Sequence, residues 1–413
     1  MLHPSFLYVK LCSILAKKTF SRPVLILLAA NNKGMQKQVL GLFCASILAG
    51  IVIAGLWPFH APKNEVSWLH AGDGLHFGGH GVMLASVASR LAGSKAGASC
   101  SVEILLRPDN PDTGGALLAF YSQEDRVVAF SLYQSLDDLL LRRVTVYQHR
   151  RARTKWYIDH VFAKNKQVFV TITSGSRGTA VYVDGTLVGT SQRFEVSRMD
   201  LAGQVVVGSS PIADNGWRGQ FRGLGIYNRE LTPAEVEQHY SSWNGNSRAE
   251  MRNGRPLALY LCNDGNGNVV HDQMDSANDF HIPEKYFVLN EPFLQAPWDE
   301  FYPGWSYYEN ILINIGGFVP LGFCFCAYLS ASRFLYRPML ATIVFGAVVS
   351  FAIEALQSFL PTRASGTTDI ITNALGTAIG ATLYVRGWVQ PLLASIGLGV
   401  RRVLERMARS DSE

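Results

Sequence analysis

Polar residues inside long apolar runs are where this sequence could do chemistry, because each is costly in a membrane or a core unless something answers it. Asn310 and Asn314 are one helical turn apart in one such run. Glu354, Gln357 and Ser358 share a face of the next, and Asp369 and Asn373, again four apart, open a third. Arg363 lies in the connection between Glu354 and Asp369. Carboxylates so placed must pair, stay wet or stay protonated. The set therefore reads either as a small polar binding pocket or as hydrogen bonding that holds helices together. Pairing with Arg363 is the simplest structural account. An alternative gives Glu354 and Asp369 an acid/base role on a lipid-linked substrate, with Arg363 holding a phosphate. No nucleophile with a recognisable base and no metal-ligand motif accompanies that alternative.

The elements that must position these residues are helices. A bilayer core about 30 Å thick needs roughly 20 apolar residues at 1.5 Å rise each. Residues 39–57, 307–329, 338–360 and 369–385 are the four candidate spans, whereas 24–30 and 392–400 are too short to cross alone. The first is read as a retained anchor, because no small-residue cleavage site follows it before Pro58. Lys33 and Lys37 precede the first span, Arg333 and Arg337 separate the second and third, and Arg401, Arg402, Arg406 and Arg409 follow the fourth. Four crossings put these flanks on one side, which the distribution of basic residues makes the cytoplasm. The polar stripes then lie within about two turns, ~10 Å, of the exterior surface. Gly316, Gly317, Gly376 and Gly380 suit close helix contact, Gly376 and Gly380 in the small-xxx-small pattern.

Between the first and second spans the pattern changes to short period-two runs broken by Gly, Asp, Asn and Ser. Strands are predicted over 100–106, 127–133, 139–148, 167–173 and 180–183, giving an all-β sandwich of two sheets. Asp184-Gly185 marks a hairpin turn. Thr232-Pro233 with Glu235 starts the one helix of this region, over 232–240. Asp184, Asp200 and Asp214 are candidate calcium ligands, although turn aspartates are more often hairpin residues. Trp217 and Tyr227 could stack on a sugar or pack in the core. Cys100 and Cys262 fall in strands of an exterior domain, where a disulfide is open to them if the strands are neighbours. The net charge of +5 is modest and the basic residues are not interleaved with aromatics, so nucleic acid is not an expected partner.

Two family resemblances attach to these residues. The middle region, over about 65–245, resembles the laminin-G-like, concanavalin A-like jelly rolls. The likeness rests on Gly74-Leu75-His76-Phe77-Gly78-Gly79, the run Val102 to Pro108, Val181-Tyr182-Val183-Asp184-Gly185, and the run Phe221 to Thr232. In that family an apolar-aromatic strand with an Asn-Asp-Gly turn normally comes first. Here such a segment, Ala258-Leu259-Tyr260-Leu261-Cys262-Asn263-Asp264-Gly265, comes last. That order reads as a circular permutation, with a truncated second repeat as the alternative. Glucanases of this superfamily need paired carboxylates; Glu103 stands without an Asp two residues on, which favours binding over hydrolysis.

The apolar region resembles the VanZ-like membrane family through Asn310 to Asn314, Phe318-Val319-Pro320-Leu321-Gly322, Glu354, Gln357, Arg363, Asp369, Asn373, Gly376 and Gly380. The resemblance implies a bacterial envelope role linked by the family name to glycopeptide resistance, with no named reaction and no cofactor. The organisation expected is a cytoplasmic tail (1–37), a first span (38–60), an exterior sandwich (61–285), a linker (286–306), three spans (307–390) and a basic cytoplasmic tail (391–413). The expected partners are the bilayer and a glycan or envelope protein, at the bacterial inner membrane. An envelope assembly module is the remaining alternative.

Overall fold

The computed structural model describes residues 33–70, 73–86, 99–147, 150–245, 248–290, 293–301, 304–332, 336–363 and 365–387. The tails at 1–32 and 388–413, with the short stretches at 24–30 and 392–400 and Arg333, Arg401, Arg402, Arg406 and Arg409, lie outside them. The chain divides into two compact units, residues 1–60 with 292–413, and residues 61–291.

The first unit opens with α1 (Lys33–Leu56), whose C-terminal two thirds carry no charge. Among its described residues the second unit has sixteen strands and one long helix. Seven strands form the path β1 (Val66–Trp68), β2 (Leu75–Phe77), β13 (Gly219–Tyr227), β4 (Cys100–Pro108), β9 (Val168–Gly175), β10 (Gly178–Val183), β11 (Thr186–Ser191), and β14 (Ala258–Tyr260) joins by pairing with β13. The opposing sheet runs β15 (Val269–Val270), β16 (Phe280–His281), β3 (Met83–Ser86), β12 (Gln204–Val207), β5 (Gly114–Ser122), β6 (Val127–Ser135), β7 (Asp138–Tyr147), β8 (Arg150–Ile158).

Alternate residues of the two sheets fill the space between them, Leu118, Phe120, Phe130 and Leu132 from one and Val102, Ile104, Val170 and Ile172 from the other. The turn between β10 and β11 has positive φ at both Asp184 (51°) and Gly185 (80°), the geometry a two-residue hairpin demands. Helix α2 (Pro233–Asn244) starts with a complete capping box. Thr232 accepts from the Glu235 N–H, and Glu235 accepts from the Thr232 N–H. Along one edge of β13, Gly219–Phe221 pairs with β2 and Leu224–Ile226 with β14. An early and a late piece of sequence thus share that edge end to end.

The first unit resumes with α3 (Pro297–Glu300), α4 (Trp305–Ser332), α5 (Pro338–Gln357) and α6 (Thr367–Val385). Among the described residues Tyr307–Ser332 and Pro338–Gln357 are long and apolar enough to cross a membrane, and Leu40–Leu56 is a shorter apolar helix. Helix α6 is more polar than its neighbours and turns that polarity inward, burying Thr372, Asn373 and Thr377. It sits tightly on α4. A Cβ added at Gly376 would fall 2.3 Å from the Ile315 carbonyl oxygen and one at Gly380 2.0 Å from that of Val319. From the other side, one at Gly322 would fall 2.1 Å from the Thr377 oxygen. Glycine on both helices is what lets the backbones meet. Gly316, grouped with these by sequence, instead faces open space.

Candidate functional site

The polar residues of the bundle gather at one end, where α1 and α5 finish and α4 and α6 begin. The Gln357 side-chain amide donates to the Gly55 carbonyl (2.8 Å), and the Arg363 guanidinium donates through Nε (3.2 Å) and a terminal nitrogen to the Trp57 carbonyl. Both close off the carbonyls that every helix leaves unsatisfied at its C-terminus, and the cation also suits the negative end of the helix dipole. Asn314 donates from Nδ2 to Asp369 Oδ1 (2.7 Å). Glu354 Oε2 accepts from the Gly366 N–H (2.8 Å), so the last turn of α5 is tied to the residue capping α6. Asn373 donates to Ser350 Oγ (2.9 Å), one turn below Glu354.

A third carboxylate completes the group. Glu300, at the end of α3, accepts from the Thr368 N–H (3.3 Å), and a Cβ at Gly366 would lie 2.7 Å from its carboxyl. Nothing in the sequence marks Glu300, because it lies in the stretch expected to be linker. The pairing that fixes it is long-range in the chain and irregular. Gln295 forms a parallel bridge with Gly366, and the Gln295 N–H donates to the Ser365 carbonyl (3.1 Å). That bridge brings the segment before α4 against the α5–α6 connection.

The site is therefore rich in acceptors. Besides Glu300, Glu354 and Asp369, the Gln357 Oε1 and Asn373 Oδ1 atoms are buried without a hydrogen-bond partner among the described residues. Buried unpaired acceptors of this kind call for a donor. Arg363 Nε is directed to the Trp57 carbonyl. Asn310 is exposed, so the stripe expected with Asn314 reduces to Asn314. Four residues advance a helix by 400°, and the remaining 40° is enough to turn one of the pair outward.

In the sandwich the sequence candidates are structural. Asp184 Oδ1 caps the Phe169 N–H (2.9 Å). Asp200 Oδ2 accepts from the Ser197 N–H (2.7 Å) and from Arg143 Nε (3.1 Å). Asp214 Oδ1 accepts from the Tyr286 hydroxyl (2.9 Å), and burial holds its carboxyl above the usual range. The three aspartates are committed to separate local contacts and do not converge on a calcium ion. Among the described residues the group with three candidate metal ligands is Asp137, Asp138 and His160, at the start of β7 and the end of β8.

Trp217 is buried, its ring N–H donating to Gln134 Oε1 (2.7 Å), and so presents no face to a sugar. Tyr227 is likewise buried. Cys100 and Cys262 are buried and are not joined in a disulfide, the possibility that neighbouring strands would have left open. Ser101 lies opposite Tyr227 and Tyr260 opposite Leu224, so the two cysteines flank opposite ends of β13, with that strand between them. Their separation far exceeds the ~7 Å limit for a disulfide. Burial pushes the Cys100 thiol up to about 12, leaving it inert.

A polar network the sequence did not disclose lies under α2. Glu103 is fully buried on β4. It accepts from the Tyr227 hydroxyl (2.9 Å) and Trp243 Nε1 (3.3 Å), and its other oxygen meets His239 Nδ1 (2.8 Å). The Tyr227 and His239 rings stack at 5.6 Å, and burial followed by the Glu103 charge raises the tyrosine's pKa well above 10. Glu103 is sealed beneath α2, with no surface exposed to solvent.

Comparison with known families agrees with this division. The VanZ/LLP1 family model matches residues 265–390, and the model of the concanavalin A-like lectin/glucanases superfamily matches residues 78–237. The chain joins a VanZ-like unit to a concanavalin A-like domain. The VanZ-like match takes in the whole acceptor-rich cluster apart from its α1 carbonyls, and it begins within the strands that finish the concanavalin A-like sandwich. Among curated proteins none matches the chain.

Solved structures with some likeness include the receptor-binding domain of botulinum neurotoxin C/D mosaic serotype. It is 16% identical with a TM-score of 0.35 over 44% of this chain and 45% of that one. A heptameric pentraxin from Limulus polyphemus is 16% identical, with a TM-score of 0.28 over 41% and 86%. A Bacteroides ovatus protein assigned to carbohydrate binding is 12% identical, with a TM-score of 0.33 over 50% and 60%. The chain spans less than half of the neurotoxin domain, and likeness this slight carries no function across.

Proposed function

We propose that this chain is an integral protein of a bacterial cytoplasmic membrane that displays a glycan-binding sandwich outside and receives the polar head of an envelope amphiphile at the end of its VanZ-like bundle. In this reading α1, α4, α5 and α6 all cross the bilayer. Helix α6 does so in spite of its polarity because Thr372, Thr377 and Thr382 donate to carbonyls of the preceding turn of their own helix and Asn373 donates to Ser350 of α5. Lys33 and Lys37 in the first turns of α1, ahead of its apolar stretch, and Arg337 before α5, support cytoplasmic N- and C-termini and an exterior sandwich. The shared edge of β2 and β14 on β13 supports a circularly permuted domain, which suits insertion between two spans because Lys63 and Lys285, near its two ends, form an antiparallel bridge.

The observation that carries the ligand reading is the acceptor-rich cluster of Glu300, Glu354 and Asp369 with the unpaired Gln357 and Asn373 oxygens. Such a site complements a group rich in donors, hydroxyls or an ammonium, and disfavours a bare phosphate. A lipid headgroup, a lipid-linked glycan precursor or a cationic amphiphilic drug offers those donors. For the sandwich, the concanavalin A-like match supports glycan recognition, and the burial of Glu103 favours binding over hydrolysis.

Alkaline phosphatase fused at Gly304 and at Arg337 tests the placement on which this depends. Activity is expected at Gly304 and none at Arg337. Activity at Arg337 would put the sandwich in the cytoplasm and remove its glycan role.

A further inference from the structure

The outer face of the second sheet is covered at one end and open at the other. Toward β3, β12 and β5 it is capped by Ile212, Tyr286, Val288 and Leu289, which pack on Val206, Ala119 and Tyr121. Leu140 at the start of β7 is buried with Tyr133 on this face, but along β8 the face is exposed, and that part is basic. Register places Arg142 opposite Lys155, Val144 opposite Arg153 and Val146 opposite Arg151. Directly opposed residues share a face, and so do alternate residues of one strand. Arg142, Arg151, Arg153 and Lys155 therefore stand on one surface, and the last three are exposed.

Tyr157, 47% exposed, continues the row, and the Arg142 guanidinium lies 4.2 Å from the centre of the Tyr133 ring. Among the described residues no carboxylate forms an ion pair with any of these four cations. This contrasts with Arg143 on the opposite face, which pairs with Asp200 at 3.1 Å. Like charges directly opposed, as Arg142 and Lys155 are, weaken a sheet. The row therefore works against the fold, as an interaction surface would.

We infer that this surface binds an acidic polysaccharide. The inference rests on the glycan-binding reading above and narrows it to a polymer carrying carboxylates or other anionic groups. Cations at alternate strand positions are ~6.8 Å apart and span roughly 14 Å, a linear track that suits an extended chain charged every ring or two. Arginine forks meet carboxylates in a two-point contact, and an exposed tyrosine at the end of the row can stack on a sugar ring. β8 is the edge of its sheet, and among the described residues no further strand pairs beyond it.

The test uses the full chain in nanodiscs of neutral lipid. The probes are polygalacturonate, neutral glycans on an array, and vesicles containing phosphatidylglycerol. Polygalacturonate is expected to bind at low salt and to be released as salt rises. The triple variant R151Q/R153Q/K155Q should weaken binding by at least about tenfold, as loss of three complementary charges implies. Thr154→Gln, on the other face of the same strand, should leave it unchanged and so controls for folding. Equal binding by the triple variant overturns the inference. So does stronger retention on the anionic vesicles through the same residues. Binding of neutral glycans without polygalacturonate overturns this inference alone and leaves the broader glycan reading standing. Binding of neither glycan defeats both.

Discussion

Replacing Glu103 by alanine is expected to lower the stability of the sandwich by about 3–5 kcal/mol, the range for removing one partner of a buried pair. The carboxylate receives the Tyr227 hydroxyl, the Trp243 ring N–H and His239 Nδ1, all in the interior. Without it those groups keep their burial and lose their acceptor. Desolvation already disfavours each of them. The loss also reaches local structure, since His239 and Trp243 belong to α2 and hold it on the sheet. Thermal unfolding of the full chain should shift down by roughly 10 °C, given 2–4 °C per kcal/mol for a domain of this size. Glu103→Gln keeps the volume and one acceptor and should fall between wild type and alanine. An unchanged transition in the alanine variant would mean the network contributes nothing to the fold.

The second large effect is expected in the bundle. Gly380→Leu should cost about 3 kcal/mol or more, at the upper end of overpacking penalties. The group met is the Val319 backbone, 2.0 Å from the new Cβ, and a backbone cannot rotate aside as a side chain can. Helix α6 would have to leave α4. The Asn314–Asp369 contact between the two helices would part with it. Gly316→Ala supplies the contrast. That position faces open space, so the alanine should be neutral or stabilise by up to about 1 kcal/mol through helix propensity. Thermal stability in detergent and accumulation in membranes both report the difference. Similar behaviour of the two variants would contradict glycine-mediated packing.

How far these features could be read in advance follows from their range along the chain. Asp184-Gly185 and Thr232-Pro233 with Glu235 are local. Their conformations follow from φ preferences and from a capping box closed within three residues, and both appear where the sequence puts them. The Gly376–Gly380 contact is also local in signal, since small residues one turn apart have few other uses in an apolar helix. Glu103 is the opposite case. Its partner His239 is 136 residues away, and nothing near either residue announces the pair. Trp217 and Tyr227 are as compatible with a sugar platform as with a core until the sheets are assembled, and assembly buries both. At the candidate site, Glu354, Asp369 and Asn314 were legible because polar groups in apolar helices stand out. Glu300 was not, since a carboxylate in a polar connection is unremarked until Gln295 pairs with Gly366.

The cluster can serve as a ligand site or as internal bonding, and isosteric substitution separates the two. Glu354→Gln retains an oxygen to accept the Gly366 N–H, and Asp369→Asn retains one for the Asn314 amide. Each variant thus keeps the structural bond and removes only the acid. On the proposed reading a deletion strain is glycopeptide-sensitive and the wild-type chain restores its resistance, so the direct measurement is complementation of that strain by each variant, with membrane accumulation quantified in the same cells. Both variants are expected to accumulate as wild type does and to fail to restore resistance. Full rescue by both would contradict a ligand role for the carboxylates and leave them as bonds between helices.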